Sequence, residues 1–415
     1  MKFGLLGKSL KHSYSCDIHN ILSDNTYELF EREQEELQSF FDKKDFCGIN
    51  VTLPYKEEVI KYVDVIDNTA KQIGAINTIV NKNGILTGYN TDAFGFEQLL
   101  KFYKIDVKNK KVLILGSGGT SKTVKYVLLK LGAKEIYVVS RTPQKGQISY
   151  QEAIVKFDIQ IIVNTTPYGM YPDIKDELLV DLDKFPYLES VVDVIYRPFR
   201  TNLLIKAKLK GCKTASGLYM LVAQAIKASE LFLDRVYDKK IYKQIYFQLL
   251  RKTANIVLIG MPSTGKTTAA RNLSKSLGMK CVDSDFEIIN EKKMGTKEIF
   301  SLYGEDFFRD LESKKIKELM RQSGLIISTG GGAILREENR YELLRNGYVI
   351  FLNRDIELLK KNKRSLKNRP LLQKAEAFDE LYKQRLSIYR KCCDIEYCNN
   401  STQWNTLNYI LKNIV

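Results

Sequence analysis

Two short runs of apolar residues stand out because each ends in a glycine-rich turn. They are KVLILGSGG at 111–119 and NIVLIG at 255–260, and a segment compatible with a helix follows each of them. Short apolar runs bounded by glycine turns are typical of buried β-strands. Each run is therefore predicted to be the first strand of an α/β unit.

The pattern of apolar positions also predicts how the chain divides. Ahead of the first run, the mixed segments FCGINVTLPYK and GAINTIV indicate a separate small α/β domain. Ahead of the second run, LFLDRVYDKKIYKQIYFQLLRK has apolar residues at helical spacing, which predicts helix there and a boundary near 251–254. The 415 residues exceed what one core usually serves, and about 100 to 200 residues per domain predicts several units.

Composition excludes several classes of protein. No apolar stretch reaches the length of a signal peptide core or a membrane span, so we expect a cytoplasmic protein without a membrane partner. The seven cysteines form no CxxC pair and show no zinc-ligand spacing with the two histidines, which indicates free thiols in a reducing compartment.

The net charge of +16 has two interpretations. A basic surplus attracts nucleic acid or small anions, but it is also what solvated, lysine-rich faces produce. The lysines are spread along the chain without a block or an interleaved aromatic array, so we do not expect a nucleic-acid partner.

The segment GMPSTGKTT satisfies the P-loop pattern directly after a predicted strand and before a predicted helix. Loop amides and the helix N-terminus cradle phosphates, the lysine reaches the β- and γ-phosphates, and the following hydroxyl binds Mg²⁺. A glycine turn without a ligand is the structural alternative. The predicted ATP-binding residues are Gly260, Met261, Pro262, Ser263, Thr264, Gly265, Lys266, Thr267 and Thr268, with Thr267 also at the metal.

Five further motifs follow the P-loop, and together they resemble shikimate kinase over residues 255–415. They are VDSD at 282–285, FFRDLE around Arg309, STGGGA at 328–333, NRPLL around Arg369 and RLSIY from Arg385. The resemblance implies a P-loop kinase domain with a parallel sheet that uses ATP and Mg²⁺.

The same resemblance implies a role for each matching residue. Asp283 would lie near Mg²⁺, and Asp285 would bind the attacking hydroxyl, where a carboxylate can orient it and accept its proton. Arg309 and Arg385 would clamp the substrate carboxylate. Gly331 would let the backbone approach the ring, and Arg369 would close a lid over ATP and stabilise the transferring phosphoryl charge. The lid stretch KNKRSLKNRPLL is shorter than is usual in the family, so Arg364 is only a candidate for the arginine that stacks on adenine.

The turn GSGGTS at 116–121 matches most of the dinucleotide-binding fingerprint, although Ser121 replaces its third glycine. The next predicted strand, EIYVVSRT, ends where NAD-binding folds place an acidic residue for the ribose hydroxyl. The residues here are Ser140, Arg141 and Thr142. An arginine at this place favours the 2′-phosphate of NADP, with Lys145 as a second cation.

A series of motifs around this turn resembles shikimate dehydrogenase over residues 1–250. They are HSYS at 12–15, NVTLPYK at 50–56, GAINT at 74–78, YNTD at 89–92, NTTPYGM at 164–170, DVIYRP at 193–198 and GLYMLVAQ at 217–224. Cys16 stands where the family usually has proline, and Lys8 stands where the family often has proline. The resemblance implies an α/β substrate domain (about 1–90 plus 217–250) and a Rossmann domain for NADP (about 91–216).

Carried over to this sequence, the family's catalytic pair is Lys56 and Asp92. Hydride reduction of a ketone leaves an alkoxide, which the lysine can stabilise and protonate while the aspartate orients the ammonium group and shares in proton transfer. His12 is expected to stabilise a turn. The implied substrate-binding residues also include Ser13, Ser15, Thr52, Asn77, Tyr196 and Gln224. The implied NADP-binding residues are Gly116, Ser117, Gly118, Gly119, Arg141, Thr142, Lys145 and Gly217.

The two resemblances together imply consecutive reactions on small molecules: NADPH reduces 3-dehydroshikimate to shikimate, and ATP then phosphorylates shikimate on its 3-hydroxyl. One alternative is a dehydrogenase that prefers quinate or NAD. Another is a non-catalytic protein built from degenerate copies of these folds, but decay would be expected to erode groups such as Lys56, Asp92, Lys266 and Asp285, and all four are present.

Overall fold

The computed structural model of the chain describes residues 2–10, 14–156, 158–175, 177–361, 375–400 and 403–414. The chain divides into two compact units. Unit 1 comprises residues 1–196 and 212–246, and unit 2 comprises residues 197–211 and 247–415. Both units are built from sheets and helices, which confirms the predicted α/β fold class.

The first sheet of unit 1 is mixed. Its strands are β1 (Lys2–Gly7), β2 (Thr26–Glu31), β3 (Gly48–Val51), β4 (Val65–Ile66), β5 (Thr78–Lys82) and β6 (Ile85–Tyr89), in the order β2-β1-β3-β5-β6-β4. Strand β1 pairs parallel with β2 and β3, whereas β5 pairs antiparallel with β3 and β6. The helices of this region are α1 (Ser15–Leu22), α2 (Leu37–Lys43), α3 (Asn68–Ile73) and α4 (Thr91–Phe102). Short 3₁₀ helices in the described part of unit 1 cover Gln34–Glu36, Glu58–Tyr62 and Leu182–Lys184.

The second sheet of unit 1 is entirely parallel. Its strands are β7 (Lys111–Leu115), β8 (Glu135–Val139), β9 (Ile161–Asn164), β10 (Ser190–Asp193) and β11 (Lys213–Ser216), in the order β11-β10-β9-β7-β8. This is the doubly wound order 2-1-3-4-5. Such sheets bind ligands beyond the carboxyl ends of their strands where the order reverses, which here lies between β7 and β9. The helices that follow in the chain are α5 (Gly119–Lys130), α6 (Tyr150–Ile154), α7 (Asn202–Leu209), α8 (Leu218–Leu233) and α9 (Lys239–Thr253).

The helix predicted over 231–252 is interrupted in the structure. Helix α8 ends at Leu233 and α9 begins at Lys239, because Asp234 adopts the left-handed conformation with φ 51°. The carboxylate of Glu230 accepts a hydrogen bond of 3.2 Å from the backbone of Tyr237, which stabilises the turn between the two helices. Aspartate is one of the few residues that tolerate this conformation.

The sheet of unit 2 is also entirely parallel, as predicted for a P-loop domain. Its strands are β12 (Asn255–Ile259), β13 (Lys280–Asp283), β14 (Leu325–Ser328), β15 (Gly347–Asn353) and β16 (Ile395–Cys398), in the order β13-β14-β12-β15-β16. Its helices are α10 (Lys266–Leu277), α11 (Ser284–Lys292), α12 (Thr296–Met320), α13 (Glu337–Arg345), α14 (Ile356–Lys361), α15 (Ala375–Cys392) and α16 (Gln403–Ile414). Helix α12 is kinked at Gly304, where φ is 85°.

Helix α7 and its flanking residues are part of unit 2 although they lie between two strands of unit 1 in the sequence. The buried guanidinium group of Arg200 donates hydrogen bonds to the carbonyls of Leu344 and Gly347 and pairs with Asp394 at 2.5 Å. Lys208 lies 3.1 Å from the same carboxylate. Burial opposes ionisation of Asp394, but these two cations outweigh it, and the pKa of Asp394 is lowered.

No helix in the described part of the chain is long and apolar enough to cross a membrane.

Candidate active sites

Lys56 and Asp92 form an ion pair in unit 1, with Lys56 Nζ 2.6 Å from Asp92 Oδ2. Lys56 lies in the turn after β3, and its carbonyl accepts a hydrogen bond from Ile76. Asp92 lies in the first turn of α4, where the side chain of Asn90 caps the helix by accepting from Ala93. Only 13% of the Lys56 side chain and 10% of the Asp92 side chain are exposed, so the ammonium group is held by a largely desolvated carboxylate.

A buried hydrogen-bond network places Asn77 and Gln224 beside this pair. The carboxamide oxygen of Asn77 accepts from the backbone of Thr91 at 2.6 Å, and its Nδ2 donates to the hydroxyl of Thr91 at 3.0 Å. The same Nδ2 lies 3.5 Å from Gln224 Oε1. Helices α4 and α8 approach closely here because Gly95 has no side chain; a Cβ at Gly95 would lie 3.0 Å from that of Gln224. Lys56, Asp92, Asn77 and Gln224 are thus brought together.

Three other predicted substrate-binding residues lie in the described part of unit 1. Ser15 is buried at the start of α1. Tyr196 follows β10, and its ring centroid is 5.9 Å from that of Tyr14, the neighbour of Ser15. Thr52 is half-buried after β3, where the backbone of Val51 donates to the carbonyl of Asn77. Ser13 and His12 lie outside the described residues.

The glycine turn after β7 has the backbone geometry of a phosphate-binding loop. Gly116 has φ 103°, and a Cβ there would lie 2.8 Å from Thr166 Cγ2. A Cβ at Gly118 would meet nothing within 4 Å, so the loop is open at that point, and Gly119 begins α5. Because the turn lies at the reversal of strand order, these residues fit a dinucleotide pyrophosphate.

The segment after β8 is tied to that turn by serine hydroxyls. Ser117 donates to Ser140 at 3.2 Å, and Ser140 exchanges hydrogen bonds with the backbone of Thr142. Arg141 and Lys145 are exposed beside these residues. Gly217 precedes α8 and donates its N–H to Ile195 at 3.0 Å, and a Cβ there would overlap the carbonyl of Val194.

The P-loop of unit 2 holds its lysine against the loop backbone. Lys266 Nζ donates to the carbonyls of Gly260 and Met261, each at 2.9 Å. Gly260 has φ 146° and Gly265 has φ 93°, and a Cβ at Gly260 would overlap the carbonyl of Leu352. The loop geometry therefore requires glycine at both positions.

Thr267 and Asp283 lie together at the edge of this loop. The Thr267 hydroxyl donates to Asp283 Oδ2 at 2.8 Å, and Ser328 donates to the same oxygen at 3.0 Å. The other oxygen of Asp283 caps α11 by accepting from the backbone of Asp285 and Phe286. A hydroxyl, one carboxylate and substrate phosphates form the usual ligand set of Mg²⁺, so these residues fit that ion. Ser328 belongs to the quoted motif STGGGA, but sequence reasoning gave it no role.

Arg309 and Arg385, the two arginines predicted to bind the acceptor, line the same cavity, and Arg309 forms ion pairs with two carboxylates. Arg309 Nη1 lies 2.7 Å from Glu312, and its Nη2 lies 2.9 Å from Glu305. Arg385 Nη1 donates to the carbonyl of Gly331 at 3.0 Å. Glu312 was missed by sequence reasoning, although its i,i+3 spacing from Arg309 puts both on one face of α12.

Glu312 is fully buried. Burial raises its pKa, Arg309 opposes that effect, and the nearby carboxylate of Asp285 adds to it, so that the pKa of Glu312 rises to about 7.

Three consecutive glycines form the floor between the two arginines. A Cβ at Gly330 would lie 2.5 Å from Asp285 Oδ1 and 2.6 Å from Glu312 Oε1, and one at Gly331 would lie 2.7 Å from Pro262. At Gly332 a Cβ would overlap the guanidinium group of Arg309. The absence of side chains here lets Asp285, Glu312, Arg309 and Pro262 pack directly against this segment.

These residues line one open cavity of about 1330 Å³ within unit 2. Arg354, which sequence reasoning also missed, lies on its wall, with Nη1 3.4 Å from the carbonyl of Ser263. Arg369 and Arg364 lie outside the described residues. The predicted residues that line the cavity are Pro262, Ser263, Gly265, Lys266, Thr267, Thr268, Asp283, Asp285, Arg309, Gly331 and Arg385.

The folds and these residues define a two-part α/β enzyme, with a dinucleotide-binding sheet in unit 1 and a P-loop kinase site in unit 2. Residues 5–79 match the family model of the shikimate dehydrogenase substrate binding domain, and residues 262–415 match that of shikimate kinase. The chain belongs to the shikimate dehydrogenase family and carries a shikimate kinase domain over its C-terminal residues. It is a bifunctional enzyme of the shikimate pathway.

Relatives and solved structures match the dehydrogenase part over nearly their whole length. Shikimate dehydrogenase (NADP(+)) of Clostridium beijerinckii is 38% identical over a match of 260 residues that covers 59% of this chain and 96% of that protein. The crystal structure of a chorismate mutase/shikimate 5-dehydrogenase fusion protein from Clostridium acetobutylicum is 37% identical, with a TM-score of 0.58 over 61% of this chain and 98% of that one. Shikimate 5-dehydrogenase from Thermus thermophilus, solved with NADP(H) and shikimate, is 30% identical, with a TM-score of 0.54 over 60% of this chain and 99% of that one.

Proposed function

We propose that unit 1 reduces 3-dehydroshikimate to shikimate with NADPH, and that unit 2 transfers the γ-phosphoryl group of ATP to the 3-hydroxyl of shikimate. The proposed domains are residues 1–250 for the dehydrogenase and 255–415 for the kinase, although residues 197–211 and 247–250 pack in unit 2. The observation that carries the first part is the buried pair of Lys56 and Asp92, and the one that carries the second is the cavity shared by the P-loop, Asp285 and the two arginines.

The dehydrogenase part needs a proton donor at the ketone oxygen. When bound, NADPH supplies the hydride. Lys56 stabilises the negative charge that develops on the substrate oxygen and donates a proton to it, which a lysine ammonium group held beside the carbonyl can do. Asp92 holds that ammonium group in place through the 2.6 Å contact. Asn77 and Gln224 bind ring hydroxyls, and Ser15 binds the carboxylate together with Ser13.

NADP is proposed over NAD because Arg141 follows the strand that ends beside the glycine turn. Its exposed guanidinium group is available to a 2′-phosphate, and no acidic residue stands at that place for a ribose hydroxyl. The relative from Clostridium beijerinckii is named for NADP(+), and the Thermus thermophilus structure holds NADP(H), which supports the same choice.

Phosphoryl transfer in the kinase part needs an acceptor hydroxyl that is held in position and cations that compensate the negative charge of the phosphates. Asp285 orients the acceptor hydroxyl and accepts its proton, while Arg309 and Arg385 bind the acceptor carboxylate. When ATP binds, Lys266 Nζ exchanges its hydrogen bonds to the carbonyls of Gly260 and Met261 for contacts with the β- and γ-phosphates. Thr267 and Asp283 would hold Mg²⁺, which supplies charge compensation for the transferring group. Arg369 supplies a further positive charge that compensates the transferring phosphoryl group.

Both activities are tested in one assay on the purified, full-length chain. We expect NADPH oxidation on adding 3-dehydroshikimate, and ADP release once ATP and Mg²⁺ are present. Steady-state rates with NADP and NAD, and with shikimate and quinate, decide between the proposed substrates and their alternatives. If neither NADPH oxidation nor ADP release is observed, the proposal is wrong and a non-catalytic protein built on these folds is the better explanation.

A further inference from the structure

Tyr389 is a fully buried tyrosine of α15 whose hydroxyl group faces the acceptor side of the kinase cavity. Its ring stacks on Phe351 in the core of unit 2, with centroids 4.9 Å apart and an angle of 13° between the rings. Its hydroxyl donates a hydrogen bond of 2.5 Å to the carbonyl of Gly331. Tyr389 lines no part of the cavity itself, so any role that it has is exerted through its neighbours.

The carbonyl of Gly331 joins Tyr389 to Arg385. Arg385 Nη1 donates to this carbonyl at 3.0 Å, and Tyr389 and Arg385 also interact directly through their side chains. Gly331 packs closely against Pro262 of the P-loop. A Cβ at Gly331 would lie only 2.7 Å from Pro262 Cδ. One carbonyl therefore links a core tyrosine, an arginine of the cavity and the glycine that contacts the P-loop.

The two arginines of the acceptor side differ in their partners. Arg309 is compensated by Glu312 and Glu305. Among the described residues, no carboxylate lies within ion-pair distance of Arg385, whose neighbours are a carbonyl and a phenol. Burial and the charge of Arg309 lower the pKa of Arg385, although a guanidinium group stays protonated at neutral pH. Arg385 thus has no carboxylate in direct contact among the described residues, and the charges of Glu305 and Glu312 act on it only from a longer distance.

We propose that Tyr389 is a positioning residue for acceptor binding: its hydroxyl fixes the Gly331 carbonyl and the Arg385 guanidinium group, so that the charge of Arg385 is directed to the acceptor carboxylate. The proposal rests on the proposed kinase activity. A neutral donor suits this task because a carboxylate in its place would compensate Arg385 and weaken its attraction for an anion. Burial raises the pKa of Tyr389, so its hydroxyl keeps the proton that it donates.

The test is Tyr389→Phe in the full chain, which keeps the ring on Phe351 and removes only the hydroxyl. Losing one hydrogen bond that orients a charged group is expected to raise the KM for shikimate about tenfold. The kcat and the KM for ATP should change little, because the P-loop contacts and Asp285 are untouched. The dehydrogenase activity of the same chain serves to normalise the enzyme concentration. Thermal unfolding followed by circular dichroism and the affinity for ADP together report whether unit 2 is folded.

Tyr382→Phe is the matched control, since Tyr382 lies on the same helix and donates a hydrogen bond of 2.9 Å to Asn353 instead. It should leave the KM for shikimate unchanged. An unchanged KM in Tyr389→Phe, or an equal rise in both variants, would overturn the proposal. A wild-type chain that releases no ADP with shikimate would instead refute the kinase function on which it rests.

A double-variant cycle with Arg385→Lys provides a second measurement. If Tyr389 acts through Arg385, the two substitutions together should raise the KM for shikimate by less than the product of their separate effects. Multiplicative effects would mean that the two residues act independently, and Tyr389 would then be a purely structural residue.

Discussion

Lys56 and Asp92 are 36 positions apart in the sequence, yet their charged atoms lie 2.6 Å apart and both side chains are close to nine-tenths buried. In such a pair each charge depends on the other, because removal of one partner leaves the second desolvated and uncompensated. A substitution at either position therefore changes the charge of the site as well as its chemistry.

Lys56→Ala is predicted to abolish the dehydrogenase activity and to spare the kinase. It removes the cation that meets the developing alkoxide, and loss of one such group typically costs about 10² to 10⁴ in rate. NADPH oxidation and ADP release from added shikimate are measured on the same preparation. Lys61→Ala is the control, because Lys61 is an exposed lysine of the nearby 3₁₀ helix Glu58–Tyr62 and pairs with Glu58. A folded Lys56→Ala chain with normal NADPH oxidation would remove Lys56 from the mechanism.

Asp285→Asn is predicted to have the opposite pattern. The amide keeps the size of the side chain but cannot accept the proton of the acceptor hydroxyl, so phosphoryl transfer should fall about 10² to 10⁴ while NADPH oxidation continues. ADP affinity should survive because Lys266 and the loop amides are unchanged. Asp310→Asn, at an exposed aspartate paired with Arg336, is the control. Normal kinase turnover in Asp285→Asn would contradict the role given to Asp285.

Arg141→Ala is predicted to weaken NADPH binding much more than NADH binding. A charge-assisted contact to phosphate is worth roughly 1.5 to 3 kcal/mol, which corresponds to about tenfold to a hundredfold in affinity. Titration of both cofactors against the variant measures the difference, and NADH is the internal control. Equal weakening of both cofactors would show that Arg141 supports the fold and does not bind the 2′-phosphate.

His19 is predicted to make unit 1 less stable as the pH falls. The imidazole is buried against Tyr27, with ring centroids 4.0 Å apart, and burial lowers its pKa to about 3 against a weaker effect of Asn50. Below a pH of about 6.5 the unfolded chain binds a proton that the folded chain does not, so the free energy of unfolding should fall by about 1.4 kcal/mol per pH unit down to the folded pKa.

The measurement is the free energy of unfolding at pH 7, 6 and 5 in the wild type and in His19→Phe. Phenylalanine keeps a ring against Tyr27 and cannot take up a proton, so the variant should lose this part of the pH dependence. Parallel curves for the two proteins would show that His19 does not carry it.

The fold class and both families could be predicted because the signals are local. The P-loop glycines, the strand before them and the helix after them are adjacent in sequence, and the structure has β12, the loop and α10 in that order. The acceptor residues of the kinase site also lie in short motifs. The roles of Ser13 and Arg369 remain predictions, since neither is among the described residues.

The supporting residues could not be predicted because their contacts are distant in sequence. Tyr389 reaches a carbonyl 58 positions away, and Arg200 pairs with a carboxylate 194 positions away. Tyr389 and Gly331 each lie in a motif, RLSIY and STGGGA, but nothing in the sequence shows that the two motifs contact each other. Glu312 is an intermediate case: its helical spacing from Arg309 is visible in the sequence, but its complete burial is not.

Unit 2 is built from two separate stretches of the sequence, so no single cut in the chain separates it intact from unit 1. A gene cut after residue 246 would yield a C-terminal product without Arg200 and Lys208, and Asp394 would lie in the core with neither of its cations. Breaking a buried ion pair in this way costs about 3 to 5 kcal/mol, a large share of the stability of an ordinary domain. Separation of the two activities into independent polypeptides would therefore require a new neighbour for Asp394 as well as a new start codon.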